Sequence, residues 1–217
     1  MSLTLYAHPF SSYCQKVLVA LYENDTPFTF RMLEDPGAMD ELKRLWPFAR
    51  FPVLVDEGRT VAESSIIIEH LMLKHPGPVV LVPEDPAEAL EARFLDRFFD
   101  NDVHATMQKP VFAALREDAG GKQAAMEEAV RGLDLAYAWL EGVLADRTWA
   151  VGERFSLADC AAAPSLFYAD WVHPIGEAFP AVRAYRSRLL ARPSFARAVE
   201  EARPFRSYFP LGAQDRD

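Results

Sequence analysis

Hydrophobic and polar positions alternate with a period of two at the start of the chain, where Ser2–Tyr6 predicts a short strand with Leu3 and Leu5 on one face. From Ser11 the period turns helical, because Cys14, Val17, Leu18 and Leu21 fall at i, i+3, i+4 and i+7 on a single apolar stripe. Pro27 ends the connection, and Phe28–Met32 predicts a second strand, closing a βαβ unit with a right-handed crossover. A polar stretch holding Pro36, Gly37 and Pro47 follows. Val53–Asp56 and Arg59–Ala62 then flank the turn residues Glu57 and Gly58, which predicts a β-hairpin. Ser64–His75 reads as a helix with Ile67 and Leu71 inward, stopped by Pro76 and Gly77. The order βαβ then ββα predicts a compact α/β unit over about residues 1–80.

Beyond it the pattern is helical only. Val79–Pro86, with prolines at 78, 83 and 86, reads as a semi-rigid linker. Leu90, Phe94 and Phe98 step by four. Met126, Val130, Leu133, Tyr137, Leu140 and Leu144 step by fours and threes, and Val182, Tyr185 and Leu189 repeat the spacing before Pro193. An all-α bundle is therefore expected over 87–202, with 203–217 a loose tail. Phe155-Ser156-Leu157-Ala158-Asp159 has the form of a capping box: Asp159 can reach back to the Ser156 amide, and Phe155 can staple onto Cys160. That motif stabilises a helix start and carries no chemistry.

Composition narrows the choices. Half of the 217 residues are apolar and 26 are aromatic, enough to close a real core and to exclude a disordered or fibrous chain. The net charge of −9 disfavours electrostatic binding to nucleic acid or to an anionic membrane surface. The N-terminus lacks the basic segment and apolar core of a secretory signal. The longest apolar run, Val17–Tyr22, is too short to span a bilayer, so a cytoplasmic protein is expected. Cys14 and Cys160 alone exclude a disulfide scaffold, and their spacing suits no structural zinc site, so no metal is expected.

The chemistry centres on Ser11, where a strand gives way to a helix after His8-Pro9-Phe10. Backbone amides and the helix dipole there favour a negative charge, which a hydroxyl can help to hold; Ser11 can equally be no more than the helix N-cap. Serine stands where a Cys-x-x-Cys redox motif would put its first thiol relative to Cys14, so a two-thiol mechanism is absent.

Ser11-Ser12-Tyr13-Cys14-Gln15-Lys16-Val17 resembles the first helix of the cytosolic glutathione S-transferases of Ser-type class, which open on a thioredoxin-like domain. Trp46-Pro47-Phe48-Ala49-Arg50-Phe51-Pro52-Val53-Leu54 resembles the family's Asn-Pro-x-Gly-Lys-Val-Pro-x-Leu segment, although alanine replaces its glycine at position 49. Glu63-Ser64 resembles the Gln/Glu-Ser pair that opens its third helix. The linker and the Phe155–Asp159 motif fall where the family's do, so the resemblance spans about residues 2–202.

The resemblance implies glutathione as co-substrate, a tripeptide whose thiol pKa of about 8.5 the protein must lower. Ser11 would donate a hydrogen bond to the thiolate; a pKa lowered by about two units corresponds to roughly 2.7 kcal/mol of preferential stabilisation. Phe51 would pair its backbone with the cysteinyl moiety beside a cis Pro52. Ser64 would hold the γ-glutamyl carboxylate, Glu63 would lie near its ammonium, and Arg50 would face the glycyl carboxylate. Taken alone, Glu63 and Ser64 also suit a helix cap and Arg50 a solvated charge. Ser12, Tyr6 and Cys14 are rival thiol partners. Family geometry makes Phe10, Phe99, His104, Met107 and Trp171 linings of the electrophile pocket, although each also suits a core position.

The expected function is a detoxifying conjugation of glutathione to a small apolar electrophile. A zeta-like glutathione-dependent cis/trans isomerase and a non-catalytic transferase-like binding protein are the alternatives. A homodimer is expected, with Phe48 as an aromatic key in the neighbouring subunit or else folded back under its own loop.

Overall fold

The computed structural model describes residues 3–116 and 121–216; Ser2 of the predicted first strand lies outside them. The first half runs β1 (Leu3–Ala7), α1 (Ser12–Glu23), β2 (Thr29–Met32), α2 (Ala38–Leu45), β3 (Val53–Asp56), β4 (Arg59–Ala62) and α3 (Ser64–Lys74). Its four strands form one sheet in the order β2-β1-β3-β4, with β1 parallel to β2 and the other pairs antiparallel. This is the thioredoxin-like arrangement.

Side chains alternate across β1, so Leu3, Leu5 and Ala7 join the main core with α1 and α3. Tyr6 points to the other face, where Leu33, Leu42 and Val53 form a small second cluster under α2. Glu57 and Gly58 both have positive φ, 47° and 87°, as a two-residue type I′ hairpin requires. The polar stretch after β2 contains α2, in which Ala38 and Leu42 are the buried positions. Its four charged residues hide so short an apolar period.

The second half is all-helical: α4 (Pro86–Phe98), α5 (Ala105–Leu115), α6 (Gly121–Leu144), α7 (Leu157–Val172), α8 (Pro180–Ala191) and α9 (Pro193–Ala202). A π-helical turn, Phe99–His104, joins α4 to α5. Asp85 caps α4 by accepting from the Ala87 and Glu88 amides. On α6, Leu133, Tyr137, Leu140 and Leu144 are buried as their spacing predicts. On α4 the buried face is Ala89, Ala92 and Leu95, and the stripe begun by Leu90 and Phe94 faces out, 69% and 55% exposed.

The two halves share one contiguous core. Helix α1 is buried on nearly every side because the sheet and α3 cover one flank and α7 and α9 the other. The linker is docked as well: the buried Leu81 accepts from the Leu157 amide at 2.7 Å, and the Asn24 side chain holds Val79 through two hydrogen bonds of 2.8 and 3.1 Å.

At the start of α7, the buried Asp159 carboxylate accepts from the Ser156 amide and hydroxyl, the Ala150 amide and the Tyr185 hydroxyl, between 2.6 and 3.0 Å. Residues 203–216, expected as a loose tail, fold back instead. A 3₁₀ turn, Arg203–Tyr208, leads to a buried Phe209, and Arg216 donates to the Asp170 carbonyl at 2.6 Å. Among the described residues no helix is long and apolar enough to cross a membrane.

Candidate functional site

A cleft of about 760 Å³ opens between the α/β half and α5, roofed by the returning C-terminal segment. Its floor is the junction of β1 and α1. The His8–Ser11 loop is strapped from below: Gln15 Nε2 donates to the Pro9 carbonyl and the Tyr168 hydroxyl, and Tyr168 donates to the Phe10 carbonyl, all at 3.0–3.1 Å. From above, the His8 ring packs against Phe205 and Tyr208.

Ser11 is the N-cap of α1 by its extended backbone, yet its hydroxyl caps no helical amide. It lies against the Cys14 thiol instead, opposing the burial that pushes that thiol up to about 12. Cys14 is fully buried and off the cleft, a protonated core thiol and not the nucleophile that one rival assignment required. Tyr6 is off the cleft too, because strand alternation turns it towards α2, where its hydroxyl donates to Glu41. Burial and that carboxylate raise its pKa, the opposite of what a thiolate partner needs.

Ser12 is buried, and its hydroxyl meets His104 Nε2 at 2.8 Å. The His104 Nδ1 is buried without a partner. A bare acceptor costs less than a bare N–H donor, so the favoured tautomer carries its proton on Nε2 and donates to Ser12. Burial and the nearby Lys16 charge push the His104 pKa down to about 3, which keeps the ring neutral.

Ser11, Ser12, Arg50, Phe51, Pro52, Glu63 and Ser64 all line the cleft. The Phe51–Pro52 peptide is cis, and Phe51 has no backbone partner among the described residues. Ser64 opens α3 just after Glu63, which sits at φ 71°, a left-handed conformation that costs a non-glycine residue about 1–3 kcal/mol. Arg50 is exposed on the rim with no ion pair among the described residues.

Of the five residues considered for the electrophile pocket, Phe10, His104 and Met107 line the cleft, and Phe99 and Trp171 do not. Phe99 continues the buried face of α4, four residues after Leu95 and seven after Ala92, and so packs into the core. Trp171 stands one layer back, its ring 6.4 Å from Phe10 and 5.2 Å from Phe209. Val111, Phe112 and Leu115 of α5 and Phe209 from the chain's end complete an apolar wall that the sequence reading did not assign.

Tyr13, Arg97 and Asp100 on the cleft were missed as well. The Tyr13 ring meets His104 edge-on at 4.7 Å, and burial with the nearby Asp100 pushes its pKa up to about 12. Asp100 belongs to a buried cluster: Lys16, 1% exposed, reaches Asp96 at 2.5 Å, Asp100 at 2.8 Å and Ser65 at 2.9 Å, and Arg97 caps the two carboxylates from the cleft side. Its visible trace in the sequence is Asp96 and Asp100 four apart within an aromatic run.

Comparison with known proteins agrees with this architecture. Residues 5–79 match the glutathione S-transferase N-terminal domain and residues 103–193 the glutathione S-transferase C-terminal domain. FtsZ-localized protein A of Caulobacter vibrioides is 31% identical over 206 residues, 88% of each chain. Maleylacetoacetate isomerase of Pseudomonas aeruginosa is 27% identical over 94% of this chain and 98% of its own. A solved glutathione S-transferase of Methylobacterium radiotolerans, in complex with glutathione sulfonate, is 32% identical and superposes with a TM-score of 0.77 over 92% of this chain and 95% of that one. With both domain models matched in order, across a sheet and a helical bundle that share one core and one cleft, the chain belongs to the glutathione S-transferase family.

Proposed function

We propose that the chain binds glutathione in the cleft, holds it as the thiolate and conjugates it to a small apolar electrophile. The observation that carries this reading is convergence: Ser11, Arg50, Phe51, Glu63 and Ser64, from three separate segments, meet in one cleft that also presents the apolar wall of Met107, Val111, Phe112, Leu115 and Phe209. In this reading the unpaired Arg50 faces the glycyl carboxylate, and the free Phe51 backbone pairs with the cysteinyl unit. Ser64, in the first turn of α3, receives the γ-glutamyl carboxylate where amides and the helix dipole favour an anion, with Glu63 beside the ammonium.

The Ser11 hydroxyl, which caps no amide, donates to the sulfur, whose proton leaves to solvent. Ser12 is the weaker thiol partner because it is the more deeply buried of the two hydroxyls and His104 Nε2 fixes its oxygen in the interior. The apolar wall of α5 places the electrophile beside the thiolate, so catalysis comes from proximity and charge stabilisation. The 32%-identical relative with bound glutathione sulfonate supports the ligand class.

Retention on immobilised glutathione and turnover of an aryl halide test the reading. Replacing Ser11 with Ala should return the pKa of bound glutathione towards its free value of about 8.5, measured by thiolate absorbance against pH. An unchanged titration, or the same loss on Ser12→Ala alone, moves the assignment off Ser11.

A second reading, ligand binding without turnover, is favoured by the 31% identity to a relative named for where it localises and not for a reaction. Retention with no turnover across a broad electrophile panel would select it. Cis-to-trans isomerisation of maleylacetoacetate, a double bond conjugated to a ketone, would select the isomerase suggested by the relative from Pseudomonas aeruginosa.

We also infer a homodimer. Phe48 is 70% exposed and touches only Trp46 among aromatic rings, so it is not folded under its loop. Ile66 and Leu73 on α3, Leu90 and Phe94 on α4, and Leu135 and Trp139 on α6 are further large apolar side chains left in solvent.

A further inference from the structure

We propose that Asp56, His70 and His75 form a binding site for one zinc-type divalent ion, separate from the glutathione cleft. Asp56 is the last residue of β3, His70 lies in the middle of α3 and His75 closes that helix. His75 leaves the helical conformation, at φ −133° and ψ 54°, while its amide still bonds the Leu71 carbonyl, and this turn swings its ring back towards His70. Both imidazoles then aim Nε2 at one carboxylate oxygen: His70 stands 2.8 Å and His75 2.9 Å from Asp56 Oδ2. The ring planes are inclined by 55°, as two ligands converging on one point would be.

All three donor atoms lie within 4.8 Å of one another. A tetrahedral ion with bonds of about 2.0–2.1 Å separates its ligands by about 3.3 Å, so each Asp56 contact opens by about half an ångström while the two imidazole nitrogens, within 4.8 Å of each other, settle to the same spacing. The side chains are 9–14% exposed, shielded from bulk water but reachable from it. Two imidazoles and one carboxylate suit zinc, cobalt, nickel or copper, and suit magnesium and calcium poorly because those ions take oxygen ligands. Three protein ligands leave a fourth position for water.

The site lies at the end of α3 away from Ser64, about 16 Å along an 11-residue helix, so the bound ion would fasten the sheet to the helix that carries part of the cleft.

The test uses tag-free protein dialysed against EDTA and titrated calorimetrically with zinc chloride, with cobalt(II) absorption as a readout of coordination. Wild type should take one ion per chain, show the visible bands of tetrahedral cobalt and melt at a higher temperature with zinc. Asp56→Asn and His75→Phe, each checked for folding by circular dichroism, should each lose about 100-fold or more in affinity. His173→Gln, which alters the separate His173–Asp134 pair, should bind as wild type does. No heat and no cobalt bands in folded wild type overturn the site, as does undiminished affinity in the Asp56 and His75 variants. Should one of these variants fail to fold, the other carries the comparison, with His70→Gln beside it.

Discussion

Ala49 occupies the left-handed region at φ 52°, at the position where the family pattern has glycine. The loop has therefore kept the backbone that glycine adopts freely while carrying a Cβ, which costs about 1 kcal/mol or more. Ala49→Gly should raise the unfolding free energy by about 1 kcal/mol in urea titrations; a loss would mean that flexibility gained by the unfolded chain outweighs the relieved strain. At this scale the sequence was most legible where a residue sat inside a contiguous motif. Ser11, Arg50, Phe51 and Ser64 are consecutive with residues whose spacing already marks a turn or a helix start, and the fold brings them to one cleft. It was least legible for Phe99 and Trp171, both buried among other aromatic rings, because apolar periodicity shows that a ring faces inward and not which neighbour it will meet. Tyr13 went unassigned although it adjoins Ser12, because an aromatic in the first turn of a helix fits the core equally well.

Elements follow the same rule: those with a clean period came through with boundaries intact to within a residue or two, and those whose period is short or interrupted did not. β3 and β4 match their predicted spans, whereas α2 is too short and charged to show its two buried positions. The join between α4 and α5 is the clearest interruption, because the π-helical turn shifts phase without any proline or glycine to announce it. That turn also sets His104 into the interior, with a measurable consequence. Burial depresses its pKa to about 3, while in the unfolded chain it titrates near 6.5. Below that value the unfolded state takes up a proton that the folded state refuses, so the stability is present above about pH 6.5 and is lost as pH falls towards 3. Between pH 7.5 and 5 this one residue should remove about 2 kcal/mol. His104→Gln can still donate to Ser12 and should lose about that much less over the same interval, read from urea unfolding at the two pH values. Equal declines in both proteins would mean that the ring is protonated in the fold.

For the whole molecule, the outward stripe on α4 was visible as a period but not as a surface, since spacing shows that a face is apolar and not what covers it. Phe48 at 70% exposure belongs to the same question. Wild type should sediment as a dimer at micromolar concentration, and Phe48→Ala should weaken it by about 2 kcal/mol or more, the cost usual for an aromatic anchor. A wild-type monomer removes the dimer; a variant as tight as wild type removes only the role of Phe48. The returning C-terminal segment has a consequence of a different kind, which concerns order in time. Tyr208 donates to Glu34 across 174 positions of chain, and its neighbours roof the cleft whose floor is Phe10 and Ser11. At ribosomal rates of about 5–20 residues per second, a nascent chain would hold that floor uncovered for on the order of ten to forty seconds before its roof is synthesised. Its sheet and first helix would meanwhile be exposed to chaperones with their apolar flank bare.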